Sequence, residues 1–326
     1  MIPGQMQRRI ITRRDYQNMA SSPVSINNAF VKRNANTYPP DIKGDQRSAV
    51  STSRVRSGKY YSISIVAMFK NNESYIPYFE YICSKLDNAY DTSYYILENN
   101  STDLTKEMLR NFMKKRKGHL FSDDLSWNSN YGSVIKNERG AYMARLRNEL
   151  KGLHGDLKSD YTIIIDSDIY FTVQNVQDLI SKLSKVVVMS TPYTMIWDRA
   201  NKGIKHYYDS LAFITLDGIS HKDNGNRCMF SECSICYNGM PEKVKKMTYP
   251  VGVGDVIVES AFGGLVAINT DVYNKVKWEE TVCEHHGFCD NVREHGQIMV
   301  SRNIECMMAN TRSLIDTRSE IIMSLK

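Results

Sequence analysis

The chain has 326 residues, 42% of them hydrophobic, enough for a packed core in one large α/β domain or two small ones. Its formal charge of +6 is local: up to Lys59, eleven Lys/Arg face only Asp15, Asp41 and Asp45, leaving the remainder near neutral or slightly acidic. These values exclude a chain disordered throughout and a uniformly basic nucleic-acid binder, and no apolar stretch is long enough to span a bilayer.

Residues 1–58 are polar, dotted with Pro and Ser and without apolar periodicity, which predicts a disordered basic arm. The arm reads as a solvated tether or as a docking segment for an anionic partner such as nucleic acid or a membrane surface. Its start lacks a signal-peptide core, so a cytoplasmic location is expected, with peripheral membrane association left open. Residues 59–326 read as one domain, regularly wound over 59–195 and looser over 196–310.

From residue 60 strand and helix signals alternate. "YSISIVAMF" (61–69) predicts a strand, "SYIPYFEYICSKL" (74–86) a helix and "TSYYILEN" (92–99) a second strand. In "LTKEMLRNFMKKRK" (104–117), Leu104, Met108, Leu109, Phe112 and Met113 share one helical face, with Ser101 or Asp103 as N-cap. Its basic end suits a helix C-terminus. "KGHLFSDD" is a short strand candidate, and a helix over about 136–151 turns Met143, Leu146 and Leu150 inward. A strand at 161–166, a helix over "VQNVQDLISKLS" and a strand at "KVVVMSTPY" follow. Such alternation predicts an α/β fold with a mostly parallel central sheet. Beyond residue 200 strand signals remain at "SLAFITL", "GGLVAIN" and "QIMVSRNI".

The run "YTIIIDSDIYFTV" (161–173) carries the chemistry. A strand buried on both faces reads as a continuous apolar run, and ligands of parallel sheets sit beyond the strands' carboxyl ends. Asp166 and Asp168 stand there, on one side of the pleat if the backbone stays extended. Two such carboxylates repel unless a cation joins them, and Mn²⁺ or Mg²⁺ shared with substrate phosphates meets that need. In the plainer alternative Asp166 caps a turn and Asp168 is exposed. The seven cysteines are an odd number, against a full disulfide framework. Cys233 and Cys236, and Cys283 and Cys289 with His285 and His286, have spacings that suit reduced thiols or zinc.

The blocks "FKNNESYIPYF", "ILENNSTDLTKEMLRNF", "RLRN", "IIIDSDIYF", "YYDSLAF" and "ESAFGGLVAIN" resemble the GT-A glycosyltransferases. Within that superfamily the likeness is to the fungal Cap59-like (capsule-associated) α-1,3-mannosyltransferases, over roughly residues 60–300. The resemblance implies a GT-A fold, a Rossmann-like nucleotide-sugar-binding sheet with an irregular acceptor-side C-terminal half. It implies that 59–195 binds the donor and 196–310 faces the acceptor. It points to Ala67, Phe69, Asn71 and Glu73 as contacts to nucleobase and ribose. Glu98 would bond base or ribose, and Asn100 and Asp103 would shape the loop. Asp166 would face ribose or metal, and Asp168 would ligate the metal. Arg145 and Asn148 would meet diphosphate or sugar. Asp255 or Glu259 would be the acceptor-facing acid, unless either is only a salt-bridged surface acid. His285 or His286 would reach metal or diphosphate, with Glu284 orienting it, unless it is a packed loop histidine. No membrane anchor is expected from these residues, unlike in those relatives, and the chain carries the basic arm and a "SECSIC" insertion, so acceptor and compartment are not inherited.

The implied reaction is metal-dependent transfer of a sugar from a GDP- or UDP-linked donor to a hydroxyl, on a glycan or another acceptor. The rival enzyme is a sugar-phosphate nucleotidyltransferase, but "AMFKNNE" lacks the glycine-rich loop that chemistry favours. A non-catalytic carbohydrate- or protein-binding module on a degenerate GT-A fold is a second rival, and a nucleic-acid binder resting on the arm is a third.

Overall fold

The structure is a computed structural model that describes residues 61–122, 137–198, 204–220, 254–281 and 283–308. The chain clusters into two units, 1–58 and 59–326, and every described residue belongs to the second. The basic arm and Cys228, Cys233 and Cys236 lie outside the described residues.

Strands β1 (Ser62–Phe69), β2 (Asp91–Glu98), β3 (Lys117–Phe121) and β4 (Tyr161–Asp166) alternate with helices α1 (Ile76–Ala89), α2 (Thr105–Met113) and α3 (Asn137–His154). Then come β5 (Ile169–Tyr170), α4 (Val173–Lys182), β6 (Val187–Asp198), β7 (Ile204–Tyr207) and β8 (Ile214–Thr215). The chain continues through β9 (Val256–Ser260), β10 (Leu265–Asn269), α5 (Thr270–Lys275), α6 (Glu284–Arg293) and β11 (Gln297–Met308). One sheet runs β3-β2-β1-β4-β10-β6-β11-β9-β8, with β5 on β11 and β7 on β6. Only β10 and β9 oppose the common direction along that path, so the sheet is mostly parallel, as the alternation predicts. The looser half is built into it: β10 lies between β4 and β6.

The β-strand period of two divides the core. Ile63, Ile65, Ala67 and Phe69 of β1 join Ile163 and Ile165 of β4 against α1, α2 and α4. Val66 and Ile164 point the other way, into a cluster with Leu146 and Leu150 of α3 and Phe288 and Val292 of α6. The apolar run ahead of Asp166 is therefore covered on both faces. Pro77 fits the first turn of α1, where its missing N–H costs nothing, and Thr172 with Asn175 forms a capping box on α4. Leu104 departs from the expected helix face: it is the N-cap of α2 and 59% exposed, while Leu109 and Phe112 are buried.

Candidate active site

The winding of the sheet reverses at β1, with β2 and β3 to one side and β4 to the other. The gap beyond β1 and β4 is thus a topological switch point, where open α/β sheets bind ligands. Register brings the strand ends level, Phe69 opposite Glu98 and Met68 opposite Asp166. Three loops meet there. Asn72 donates its side-chain amide to the Ser167 carbonyl and, at 3.0 Å, to Ser167 Oγ, tying the loop after β1 to the aspartate turn. Its own N–H goes to Thr105 Oγ1 at 2.7 Å. Asn71 and Asn100, each two residues past a strand end, are the non-glycine residues with positive φ among the described residues, at 48° and 51°. Held local strain of this kind gathers at ligand-binding loops.

The aspartates do not leave one pleat as an extended backbone would require. β4 stops at Asp166, and Ser167–Asp168 form a turn into β5. The turn is gripped from below: Tyr75 OH donates to Ile169 O at 2.5 Å, and Tyr78 bonds the Phe171 peptide through both its carbonyl and its N–H. Asp166 Oδ1 accepts from Arg147 Nη2 at 2.9 Å, and its Oδ2 has no hydrogen bond among the described residues. Burial and then the Asp166 charge push the Asp168 carboxyl up to about 7. That is the electrostatics of a carboxylate pair short of a cation.

Arg147 is buried on α3 and also faces Glu284 Oε1, 3.7 Å from its Nε. Its guanidinium lies over the rings of Phe262 (4.9 Å) and Trp278 (5.6 Å). Burial opposes its charge, but Asp166 and Glu284 outweigh that and hold its pKa above the ordinary value. Arg139, in the first turn of α3, makes no hydrogen bond or ion pair among the described residues, yet its charge is felt by Asp168 and Tyr208. It is a cation available to a diphosphate.

The third wall is the "FGG" segment before β10. Gly263 and Gly264 have φ of 68° and 70°, and a Cβ on Gly264 would run into Ile169 of the aspartate turn. The Gly264 carbonyl accepts from Asp166 N at 2.8 Å. His285 stacks on Phe262 at 3.8 Å between centroids, burial holds its pKa well below the ordinary value, and its buried Nδ1 has no hydrogen-bond partner among the described residues.

The other sequence-derived candidates are distributed as follows. The side chains of Ala67 and Phe69 do not reach the ligand edge, since strand parity buries them in the core against α1. Glu98 is wholly buried, and its oxygens accept from Ser101 N (2.6 Å) and Ser122 Oγ (2.8 Å), so it shapes the loop instead of offering a free carboxylate. Asn71 Oδ1 accepts from Thr102 N at 2.7 Å; Glu73 Oε2 accepts from Leu104 N at 2.9 Å, and Asp103 accepts from Glu73 N and Thr105 N. These residues with Asn100 form the stitched rim of the cleft. Arg145 is engaged on the surface by Glu280, with two 2.6 Å contacts, and Asn148 is bonded to the Trp278 backbone. Asp255 pairs with Lys182 at 2.8 Å and Glu259 with Arg293 at 3.2 Å. Cys283 and Cys289 are buried free thiols, burial raises both, and His286 bonds the Leu211 carbonyl, so the second cysteine cluster is not gathered around a common point.

Among the described residues no three His, Cys, Asp or Glu side chains stand together as a ready metal cage. A divalent ion still suits Asp168 and the open oxygen of Asp166, because Mg²⁺ and Mn²⁺ are commonly held by one or two carboxylates plus phosphate and water. Sequence reading missed Arg147 as the partner of Asp166, and it missed Asp209. The Asp209 Oδ2 accepts from Phe262 N at 3.0 Å and Gly263 N at 2.5 Å.

No protein-family model and no curated protein matches the sequence. Solved structures align with the fold at low sequence identity. A mannosyltransferase from Pyrobaculum calidifontis in complex with GDP-Man and Mn²⁺ aligns with a TM-score of 0.44 at 11% identity, over 78% of this chain and 59% of that one. Glucosyl-3-phosphoglycerate synthase from Mycobacterium tuberculosis, with Mn²⁺, UDP and glucosyl-3-phosphoglycerate, aligns at 0.43 and 13%, over 81% and 79%. S. aureus TarS 1–349 with UDP-GlcNAc aligns at 0.44 and 12%, over 76% and 58%. The chain spans about three fifths of the length of the first and the last. No helix among the described residues is long and apolar enough to cross a membrane.

Proposed function

We propose that this chain is a metal-dependent glycosyltransferase of the GT-A type, which moves a sugar from a GDP- or UDP-linked donor to a hydroxyl of a glycan or other acceptor. One observation supports it above the rest: the Asp166–Asp168 turn lies at the switch point of the sheet, with Asp166 fixed by a buried arginine and Asp168 in no ion pair among the described residues. Asp168 and Asp166 would hold Mn²⁺ or Mg²⁺, with His285 as the imidazole candidate. The ion would supply charge that stabilises the departing diphosphate.

The chain's own residues do the rest. Asn71, Glu73, Asn100 and Asp103 form the rim for the nucleoside, and Asn72 locks that rim to the aspartate turn. Arg139, whose charge acts on Asp168, would meet the diphosphate, and the glycine segment allows the sugar close to the backbone. The likeness to Cap59-like enzymes makes GDP-mannose the first donor to try. The arm, 1–58, would meet an anionic partner, and the protein would work in the cytoplasm or at a membrane surface. The loop after β1 holds Asn71 and Asn72 where a nucleotidyltransferase favours glycines, which disfavours that rival.

The test is a thermal-shift panel of GDP-mannose and UDP-glucose with Mn²⁺ or EDTA, followed by nucleoside-diphosphate release. Metal-dependent stabilisation by one donor is expected, with turnover reduced by roughly 10²-fold or more in Asp168→Ala. Wild-type turnover in that variant would refute the assignment, and donor binding without any release would favour the binding module.

A further inference from the structure

We infer that Asn72 couples the nucleoside rim to the metal turn, so that a nucleoside and Mn²⁺ each bind more tightly in the other's presence without touching. The inference rests on the glycosyl-transfer reading and deepens it, adding a positioning residue that acts through Ser167.

The hydrogen bonds of Asn72 converge on the site from three elements. Its side-chain amide donates to the carbonyl and to the Oγ of Ser167, the residue between Asp166 and Asp168. An amide has two N–H donors, and here both go to one residue of the turn. The Asn72 N–H donates to Thr105 Oγ1 (2.7 Å) in the first turn of α2, and its carbonyl accepts from the N–H of Tyr75 (3.1 Å), the N-cap of α1.

The residues on either side of Asn72 bond to the loop after β2. Asn71 N donates to Ser101 Oγ (3.0 Å) and Asn71 Oδ1 accepts from Thr102 N, while Glu73 N donates to Asp103 Oδ2 (3.2 Å) and Glu73 Oε2 accepts from Leu104 N. Asn71 and Asn100 hold φ of 48° and 51°, left-handed values that asparagine tolerates better than most side chains. Such conformations persist where their surroundings over-determine them, and a nucleoside seated on this rim adds to that determination.

Ser167 sets the separation of the two carboxylates. Asp166 is anchored on one side by Arg147 and by the Gly264 carbonyl, and Ile169 on the other by Tyr75 OH. What lies between is Ser167–Asp168, the span that Asn72 grips. A divalent ion needs both carboxylates at a fixed spacing. A ligand that orders the rim therefore orders the turn, and by linkage an ion that orders the turn favours the rim ligand by the same factor.

The test uses the full chain, with guanosine and uridine as probes, since neither has a phosphate to reach the ion. Free Mn²⁺, followed by its EPR signal, gives the Mn²⁺ Kd with and without nucleoside. In the wild type one nucleoside should tighten Mn²⁺ about fivefold or more, and Mn²⁺ should tighten that nucleoside equally in calorimetry. In Asn72→Ala the ratio of the two Kd values should fall to within about twofold of unity. Ser167→Ala keeps the carbonyl contact and loses only Oγ, so its ratio should lie between the two. A merely structural Asn72 would weaken both ligands in the variant and leave the ratio intact, which would overturn the inference. So would a wild type whose Mn²⁺ Kd neither nucleoside changes. Either result leaves the transfer reading standing, because metal-dependent donor binding and turnover test that reading separately. No metal-dependent binding of GDP-mannose or UDP-glucose by the wild type would overturn both.

Discussion

The Arg147→Met substitution tests the electrostatic centre of the site. Methionine fills similar space and keeps the apolar stem, so the change removes chiefly the charge. The Arg147 side chain is 6% exposed, and its carboxylate partners Asp166 and Glu284 are 28% and 12% exposed. Losing one partner of a buried ion pair costs about 3–5 kcal/mol, because the survivor is left desolvated and unpaired. Water reaching Asp166 screens part of that, which places the expected loss near the lower end, about 3 kcal/mol. The face contacts with Phe262 and Trp278 add about 0.5–1 kcal/mol. For a folded unit of this size, about 2–4 °C per kcal/mol converts to a drop in Tm of roughly 7–16 °C. Urea denaturation of the metal-free protein measures it. In the double variant Arg147→Met with Asp166→Asn one stranded charge disappears, so it should be more stable than Arg147→Met alone. A change under about 0.5 kcal/mol in Arg147→Met, or a double variant showing simple additivity, would refute the buried-pair account.

Asp209 also carries a pH signature. Its folded pKa, about 7, lies above the unfolded value of roughly 3.9, so its contribution to stability is complete below pH 4 and is lost as pH rises through 7. Titrating the metal-free protein from pH 4.5 to 7.5 should therefore show a fall in stability that is shallower in Asp209→Asn; equal slopes would contradict the burial of that carboxyl. Gly264→Ala places a methyl against Ile169 at positive φ, and a loss of about 1–3 kcal/mol with weakened Mn²⁺ binding is expected by calorimetry; full retention of both would count against the glycine segment as a wall of the site. Asp255→Asn and Glu259→Gln, each acid being held in an ion pair, should leave nucleoside-diphosphate release within about threefold of wild type, and a loss of about 10²-fold in either would make that acid part of the reaction.

Much of the frame is written in local pattern. The apolar runs of β1, β2 and β4 and the helices between them follow from residue periodicity, and such periodicity is strongest where an element is buried. The short strands β5 and β7 were not legible, because two to four residues carry no period and are strands only through pairing with β11 and β6. Arg147 carries a signal in the helix pattern. It stands four residues after Met143 and three before Leu150, on the inward stripe of α3, and a buried arginine requires a carboxylate partner. Arg145, two positions away, belongs to the surface and pairs there with Glu280.

The sequence by itself determined that a doubly buried strand ends in two aspartates and that a polar loop follows each neighbouring strand. Those facts depend on neighbouring residues and on the period of a strand. Only the tertiary structure decided which acids stay available. Asp209 is recruited by peptides 53 and 54 residues away, while Asp255 and Glu259 are neutralised by cations from α4 and α6. Coulomb and hydrogen-bond partners are set by distance in space, and distance along the chain carries no trace of them.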